Sequence, residues 1–532
     1  MNNNIKKWLF AFFLSIPIIF LYTLHFFNHD SEHKPTGLIQ WEHALYMIAA
    51  KEYKTGDATI LYRYPLADDL HSPKVFFQPQ TFITGYLWNW FPIDPGIILT
   101  IFGLIFTIFT TRVIIGIIET ISPIGKYNKM LAILFTWGGG VLSICGLILH
   151  FTYFKGIGDL TDHVLLLDPS QGWWCLNFGR TLIYPFEAYY HCLFMLIILF
   201  VLRKQFRNAA LIMVLLTISH PYTSTELTAI IFTWLLVEYY YLKSTEINKN
   251  GLFWLGGAII FQVFYYGVLL KLLPVYSTIS QQSTLDWGYK IWHFLPAYFL
   301  VWALSFYAVK NVALLQKHFS NYNNRLFFCW GSIAFLLSVH GFAIKPVQPL
   351  HFTRGYVYAG FFLFCIPTIV AAFDWMKSKP KFTFVLIASL TIIIFLSDNI
   401  AWFYFQTSPN VAGVYFTKNE QELINFFKDK NQQGWVVGPE KRDDLSTYIQ
   451  LFSGYKAWIP HPFLTFDLID KKQALQNLIK EGQLDKRWQF TPSYLYIEKK
   501  DTSFTNHPFN FPIKFENESF KVFQINKNIN EH

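Results

Sequence analysis

WLFAFFLSIPIIFLYTLHFF, residues 8–27, holds no aspartate, glutamate, lysine or arginine and follows directly on Lys6 and Lys7. A helix needs about 20 apolar residues to cross a hydrocarbon layer roughly 30 Å thick. This stretch meets that length. It is too long for the apolar core of a cleaved signal peptide, and no small-x-small site follows it, so it reads as a retained anchor.

Working outward, comparable apolar intervals recur at 96–119, 130–150, 187–202, 208–220, 223–242, 252–273, 291–309, 326–344, 355–373 and 381–398. The 208–220 interval ends at His220-Pro221, where proline cannot continue the helix, so a tight re-entry is expected there. The composition agrees: the 532 residues are 53% hydrophobic and 20% aromatic but only 14% charged, against roughly 25% charged residues in soluble domains. The chain therefore reads as a polytopic α-helical membrane protein with about eleven transmembrane helices.

Lysine and arginine placement sets the expected orientation. The gaps assigned to the cytosol carry Lys6 and Lys7; Lys126 and Lys129; Arg203, Lys204 and Arg207; Lys243 and Lys249; Lys310, Lys317 and Arg325; and Lys377, Lys379 and Lys381. The short gaps on the other side carry fewer. The net charge of +9 follows from this bias. No basic run is long enough to track nucleic-acid phosphates, so no nucleic-acid partner is expected. The N-terminus is placed in the cytoplasm and the C-terminus outside, in a bacterial plasma membrane.

Three hydrophilic segments are large enough to be structured: 28–95 and 151–186, both outer loops of a membrane module covering 1–400, and a small C-terminal extracytoplasmic α/β domain at 401–532. In the first, WEHALYMIAAKEY (residues 41–53) has helical apolar spacing, and FFQPQTFITGYLWNWF (76–91) is rich in interfacial aromatics. In the last, NEQELINFFKDK and KKQALQNLIKEG read as helices, and GWVVG, SYLYIEK and FKVFQI as strands. No glycine-rich phosphate loop is present, so no nucleotide site is expected. The five cysteines form no C-x-x-C pair and read as small packing residues.

Ionisable groups within membrane spans are costly, and each is a candidate for function. They gather at the outer ends: Glu187 and His191, His220 and Glu226, His293, His340, Lys345, His351 and Arg354. Only Arg112 and Glu119 stand out on the inner half. Arg354, in HFTRGYVYAG, has the chemistry to clamp a lipid phosphate through two parallel hydrogen bonds; anchoring in the headgroups is the plainer reading. Arg180, in NFGRTLIYPFEAYY, admits the same two readings. Glu42 shares a helix face with Tyr46 and, if desolvated against the membrane, is a usable base; a solvated acid on an amphipathic helix accounts for it equally. The adjacent Asp68 and Asp69 mark a turn more readily than a metal site, and no cluster has zinc spacing.

QWEHALYMIAAKEYKTGD, FFQPQTFITGYL, SHPYTSTE and HFTRGY together resemble the GT-C glycosyltransferases of bacterial membranes in their order and placement. These enzymes take a sugar from a polyprenyl-phosphate carrier. The resemblance covers most of residues 1–400 and rests on architecture more than on a strict motif. It implies a GT-C-like fold and an inverting transferase. Glu42, with His43 beside it, would be the base; Asp57, Asp68 or Asp69 would be second acids. Arg354 with His351, Lys345, Arg180, His220 and Glu226 would hold the carrier phosphate or line its cavity. The implied partners are a polyprenyl-phosphate-linked sugar donor, a glycan, lipid or protein acceptor, and the bilayer. Separately, the acidic loops can hold Mg2+ or Mn2+, though no ligand set is defined. The family usually has aspartate, often in a paired acidic motif, where this chain has Glu42-His43, so loss of catalysis is an alternative. A lipid-linked-sugar flippase needs polar groups at mid-membrane, and the inner half offers few. A non-catalytic assembly protein using its α/β tail for docking is the third reading.

Overall fold

The computed structural model describes residues 3–40, 42–67, 72–122, 125–167, 177–276, 288, 290–407, 413–430, 432–461, 464–481, 492–501 and 511–525. Contacts divide the chain into two units. One comprises Met1–Tyr22, Ile101–Leu272 and Thr284–Ala412; the other comprises Thr23–Thr100, Leu273–Ser283 and Gly413–His532.

The first unit is helical. Each of the eleven apolar intervals falls on helix. Among the described residues, seven helices are long and apolar enough to cross a membrane: Asn3–Phe27, Pro95–Ile121, Pro185–Leu202, Lys249–Leu272, Ile291–Ala308, Pro349–Lys377 and Lys381–Gln406. The interval 130–150, expected as one span, is two helices, Asn128–Trp137 and Leu142–Thr152, bent by 57°. The cause is Gly138-Gly139-Gly140. Glycine weakens the helix and lets other backbone approach: a Cβ on Gly140 would lie 2.2 Å from the Pro296 carbonyl oxygen. The freed donors find partners, Gly139 N–H on Phe395 O at 2.8 Å and Val141 N–H on Pro296 O at 2.9 Å. Broken helices persist in hydrocarbon only when neighbours satisfy the backbone in this way.

Pro221 ends the run Phe206–Ser219 and opens Pro221–Leu235 at its first turn, where a missing N–H costs nothing. The helices Tyr322–Ser338 and Tyr356–Lys377 meet through Gly331 and Gly360. A Cβ on Gly360 would lie 2.4 Å from the Gly331 nitrogen, so small residues set this approach. A second lock joins Glu238, in the π-turn Leu236–Tyr241, to Arg325. The guanidinium donates to both carboxylate oxygens, with Nη2–Oε2 at 2.8 Å, and to the carbonyls of Phe319 at 2.7 Å and Ser320 at 3.0 Å.

The second unit joins the first loop to the C-terminal region, two segments that the sequence reading assigned to separate domains. β1 (His33–Pro35) pairs antiparallel with β2 (Tyr415–Thr417). β3 (Gly434–Val437), β4 (Tyr455–Ala457), β5 (Tyr494–Glu498), β6 (Ile513–Glu516) and β7 (Phe520–Gln524) form one sheet in the order β4-β3-β5-β7-β6. β3 is parallel to β4 and β5; β7 is antiparallel to β5 and β6. The helix Lys418–Asp429 starts on a capping box: Thr417 Oγ1 accepts from Glu420 N–H at 3.3 Å, and Thr417 N–H donates to Glu420 at 2.9 Å. Both expected surface helices of the first loop are present, His43–Thr55 and Pro79–Trp90. His43–Thr55 packs on the helix Asp443–Phe452. Side chains complete the join: Lys51 Nζ donates to Gln450 O at 2.9 Å, Gln450 Nε2 to Pro65 O at 2.9 Å, and Lys456 Nζ to Ala67 O at 2.9 Å.

Overpacking at the glycine crossing is expected to cost about 1–3 kcal/mol. Gly360→Val should lower the melting temperature of the detergent-solubilised protein. Gly256→Ala, where nothing lies within 4 Å, should leave it no lower than wild type.

Candidate functional site

In the first unit, four elements bring ionisable and aromatic side chains into one buried group. The helix Pro185–Leu202 supplies Glu187 and His191, one turn apart on the same face. His220 caps the next helix in place of the usual serine or aspartate. Its Nδ1 accepts from Thr223 N–H at 3.2 Å, and its ring stacks on Tyr190 at 4.3 Å between centroids. That helix supplies Tyr222 and, one turn on, Glu226, which is fully buried. The 3-10 turn Pro349–Phe352 and the residues after it supply His351 and Arg354. Gly355 lets them sit there: it has φ +77°, and a Cβ on it would lie 2.4 Å from Phe178 Cα.

Arg354 is the centre of the group. Its Nη1 donates to Glu187 Oε1 and its Nη2 faces His351 Nδ1. His351 stacks on Tyr222 at 4.3 Å. Tyr356 Oη and His191 Nδ1 are hydrogen-bonded at 2.6 Å. The charge of Arg354 is felt by Glu187, Glu226, His191, His220, His351 and Tyr356. Unlike the Arg325–Glu238 lock, this group is unsaturated: Glu187 Oε2 and both oxygens of Glu226 are buried without a hydrogen-bond partner. Unpaired buried carboxyl oxygens are costly, and a site that awaits a ligand accounts for them better than a structural staple does.

The remaining expected residues fall elsewhere. Arg180 turns to the helix Lys381–Gln406, donating to Asn399 Oδ1 at 2.8 Å and Asp398 O at 2.6 Å, with its guanidinium 5.8 Å from the Trp402 ring. Those bonds give it a packing role. Lys345 is exposed. Asp68 and Asp69 lie outside the described residues. Among the described residues, no group of three or more His, Cys, Asp or Glu could hold a metal such as Mg2+ or Mn2+.

Glu42 belongs to the second unit, at the N-cap of His43–Thr55, with its side chain 31% exposed. Asp57 is exposed beyond the far end of that helix, about 20 Å along by helical rise, so the two acids do not pair. The neighbour that the sequence reading missed is His461. Its Nδ1 accepts from Leu464 N–H at 3.1 Å, which leaves the proton on Nε2, and Nε2 lies 3.9 Å from Glu42 Oε1. Burial pushes the His461 imidazole down to about 4 and that of His43 down to about 3. Near neutral pH the approach to Glu42 is therefore that of a neutral N–H to a carboxyl, not an ion pair.

Both rings stay neutral in the fold but titrate near 6.5 when unfolded. As pH falls from 6.5 to about 4, the unfolded chain binds more protons than the folded one. Stability should fall by on the order of 1 kcal/mol per pH unit for each ring. Thermal unfolding should shift to lower temperature between pH 7 and pH 5, and His461→Gln should make that dependence shallower.

No protein-family model matches the sequence, and no curated protein matches it. Among solved structures, the chain is similar to ArnT from Cupriavidus metallidurans bound to undecaprenyl phosphate. The TM-score is 0.51 and the identity 10%, over 96% of this chain and 97% of that one. It is also similar to the Archaeoglobus fulgidus oligosaccharyltransferase tethered to an acceptor peptide, with TM-score 0.47 and 10% identity, over 85% of this chain; it spans only 64% of that protein. The likeness to ArnT extends over nearly the whole length of both chains and shows that the two share a fold, in line with the GT-C-like architecture that the sequence resemblance implies.

Proposed function

We propose that the chain is a membrane glycosyltransferase. It takes a sugar from a polyprenyl-phosphate carrier at the outer face of a bacterial plasma membrane and transfers it to a glycan, lipid or protein acceptor. The observation that carries this reading is the buried Arg354 group, with its unsatisfied carboxyl oxygens, in a chain whose fold is shared with a protein solved with undecaprenyl phosphate bound. The basic gaps of the sequence support the sidedness, with the C-terminal region outside and about eleven crossings.

In this reading the carrier phosphate sits on the Arg354 guanidinium, which donates two parallel N–H bonds to two phosphoryl oxygens. When the bond between the anomeric carbon and the phosphate oxygen breaks, negative charge grows on that oxygen, and a fixed cation in a dry site stabilises it. Glu42, the base that the sequence resemblance implies, is assigned the proton of the acceptor hydroxyl. His461 Nε2–H faces that carboxyl at 3.9 Å.

Arg354→Ala should reduce sugar transfer about 10²-fold or more and weaken binding of undecaprenyl phosphate. Glu42→Gln should lower turnover about 10²–10⁴-fold while leaving lipid binding intact. The assay is transfer from a panel of polyprenyl-phosphate sugars by the purified variants. Wild-type turnover in Glu42→Gln would rule out the assigned base.

A further inference from the structure

Resting on the reading of Arg354 as the phosphate site, we propose that the lipid phosphate binds by replacing Glu187 on the guanidinium, and that this exchange takes up one proton from solvent.

Four elements carry the ionisable groups that surround Arg354. The helix Pro185–Leu202 presents Glu187 and His191; the start of Pro221–Leu235 presents His220, Tyr222 and Glu226; the turn before Arg354 presents His351; and the following helix presents Tyr356. Among the described residues, the single fixed cation in this group is Arg354. Two of the three imidazoles are neutral by geometry. A guanidinium only donates hydrogen bonds, so His351 Nδ1 must accept from it, and His220 Nδ1 accepts from the Thr223 N–H. Neither ring brings positive charge to meet an incoming anion.

Glu187 uses one oxygen on Arg354 and leaves the other unpaired, while Glu226 leaves both unpaired. A phosphate with two free oxygens makes better use of the guanidinium fork than this one-point carboxylate does. Yet adding its charge beside the displaced Glu187 carboxylate would leave buried negative charge without a partner. A proton on the displaced Glu187 removes that excess. The balance is one lipid phosphate and one proton in, with the Arg354–carboxylate bond broken, the Arg354–phosphate bonds formed and Glu187 now a carboxylic acid. Its O–H then supplies a donor where the pair had only idle acceptors. Glu187 acts here as a positioning residue, through Arg354.

The test is titration calorimetry of the full-length, detergent-solubilised chain with the methyl diester of undecaprenyl phosphate, a probe with one fixed charge that does not titrate near neutral pH. Measured in two buffers of different ionisation enthalpy, wild type should take up about one proton per lipid bound, and affinity should fall about tenfold per pH unit from 7 to 8. Glu187→Gln should take up none, show a flat profile and bind more tightly than wild type at pH 8. Binding with no proton uptake in wild type overturns the exchange and leaves the phosphate site standing; that measurement decides even if Glu187→Gln does not fold. Uptake that persists in Glu187→Gln also overturns it. If wild type binds neither this diester nor undecaprenyl phosphate, the phosphate reading fails, and the exchange fails with it.

Discussion

A buried guanidinium must be paired, because its charge has no water to rest in. Two arginines in the helical unit solve that problem differently. Arg325 is saturated: both oxygens of Glu238 and two backbone carbonyls take its protons. Such a group locks helices together and has nothing left to offer. Arg354 is held by one oxygen of Glu187 and one imidazole nitrogen, and the surrounding carboxyls keep idle oxygens. Among the described residues, this contrast is the clearest mark separating a site from a staple.

Local backbone chemistry puts Arg354 where it is. Pro221 breaks one helix and starts the next, which turns His220 into a cap and aims Tyr222 and Glu226 at the group. Gly355 adopts a left-handed conformation against the backbone of Phe178, a place closed to any residue with a Cβ. Aromatic rings then fix the imidazoles: Tyr190 under His220, Tyr222 under His351 and Phe178 under His191. Stacking of this kind holds rings in place without spending their nitrogens, which stay available for hydrogen bonds.

Much of this was legible in the sequence. The apolar intervals located the helices, because a period and a length are local properties. In the C-terminal region the helix at 418–429 and the strands at 434–437, 494–498 and 520–524 announced themselves in the same way. The break at Pro221 followed from the chemistry of one residue. What stayed hidden depended on distant partners. Gly138-Gly139-Gly140 looked like part of a span, and only the carbonyls of Pro296 and Phe395 show why the helix bends there. Tyr455–Ala457 is too short to carry a pattern of its own and is a strand because β3 pairs with it. Glu187 and His191 were legible as candidates gathered at the outer ends with Arg354, but that Glu187 is the carboxylate on the guanidinium depended on the packing of distant segments. His461 offered no signal at all: its approach to Glu42 exists because the first loop and the C-terminal region pack as one unit.

The central claim is that Arg354 is the seat of a lipid phosphate. The most direct measurement is an electron cryo-microscopy structure of the full-length chain in nanodiscs with undecaprenyl phosphate. The account predicts the phosphate within hydrogen-bond distance of both terminal nitrogens of Arg354, with Glu187 released from the guanidinium. Phosphate density seated elsewhere, with the Arg354–Glu187 bond intact, would contradict it.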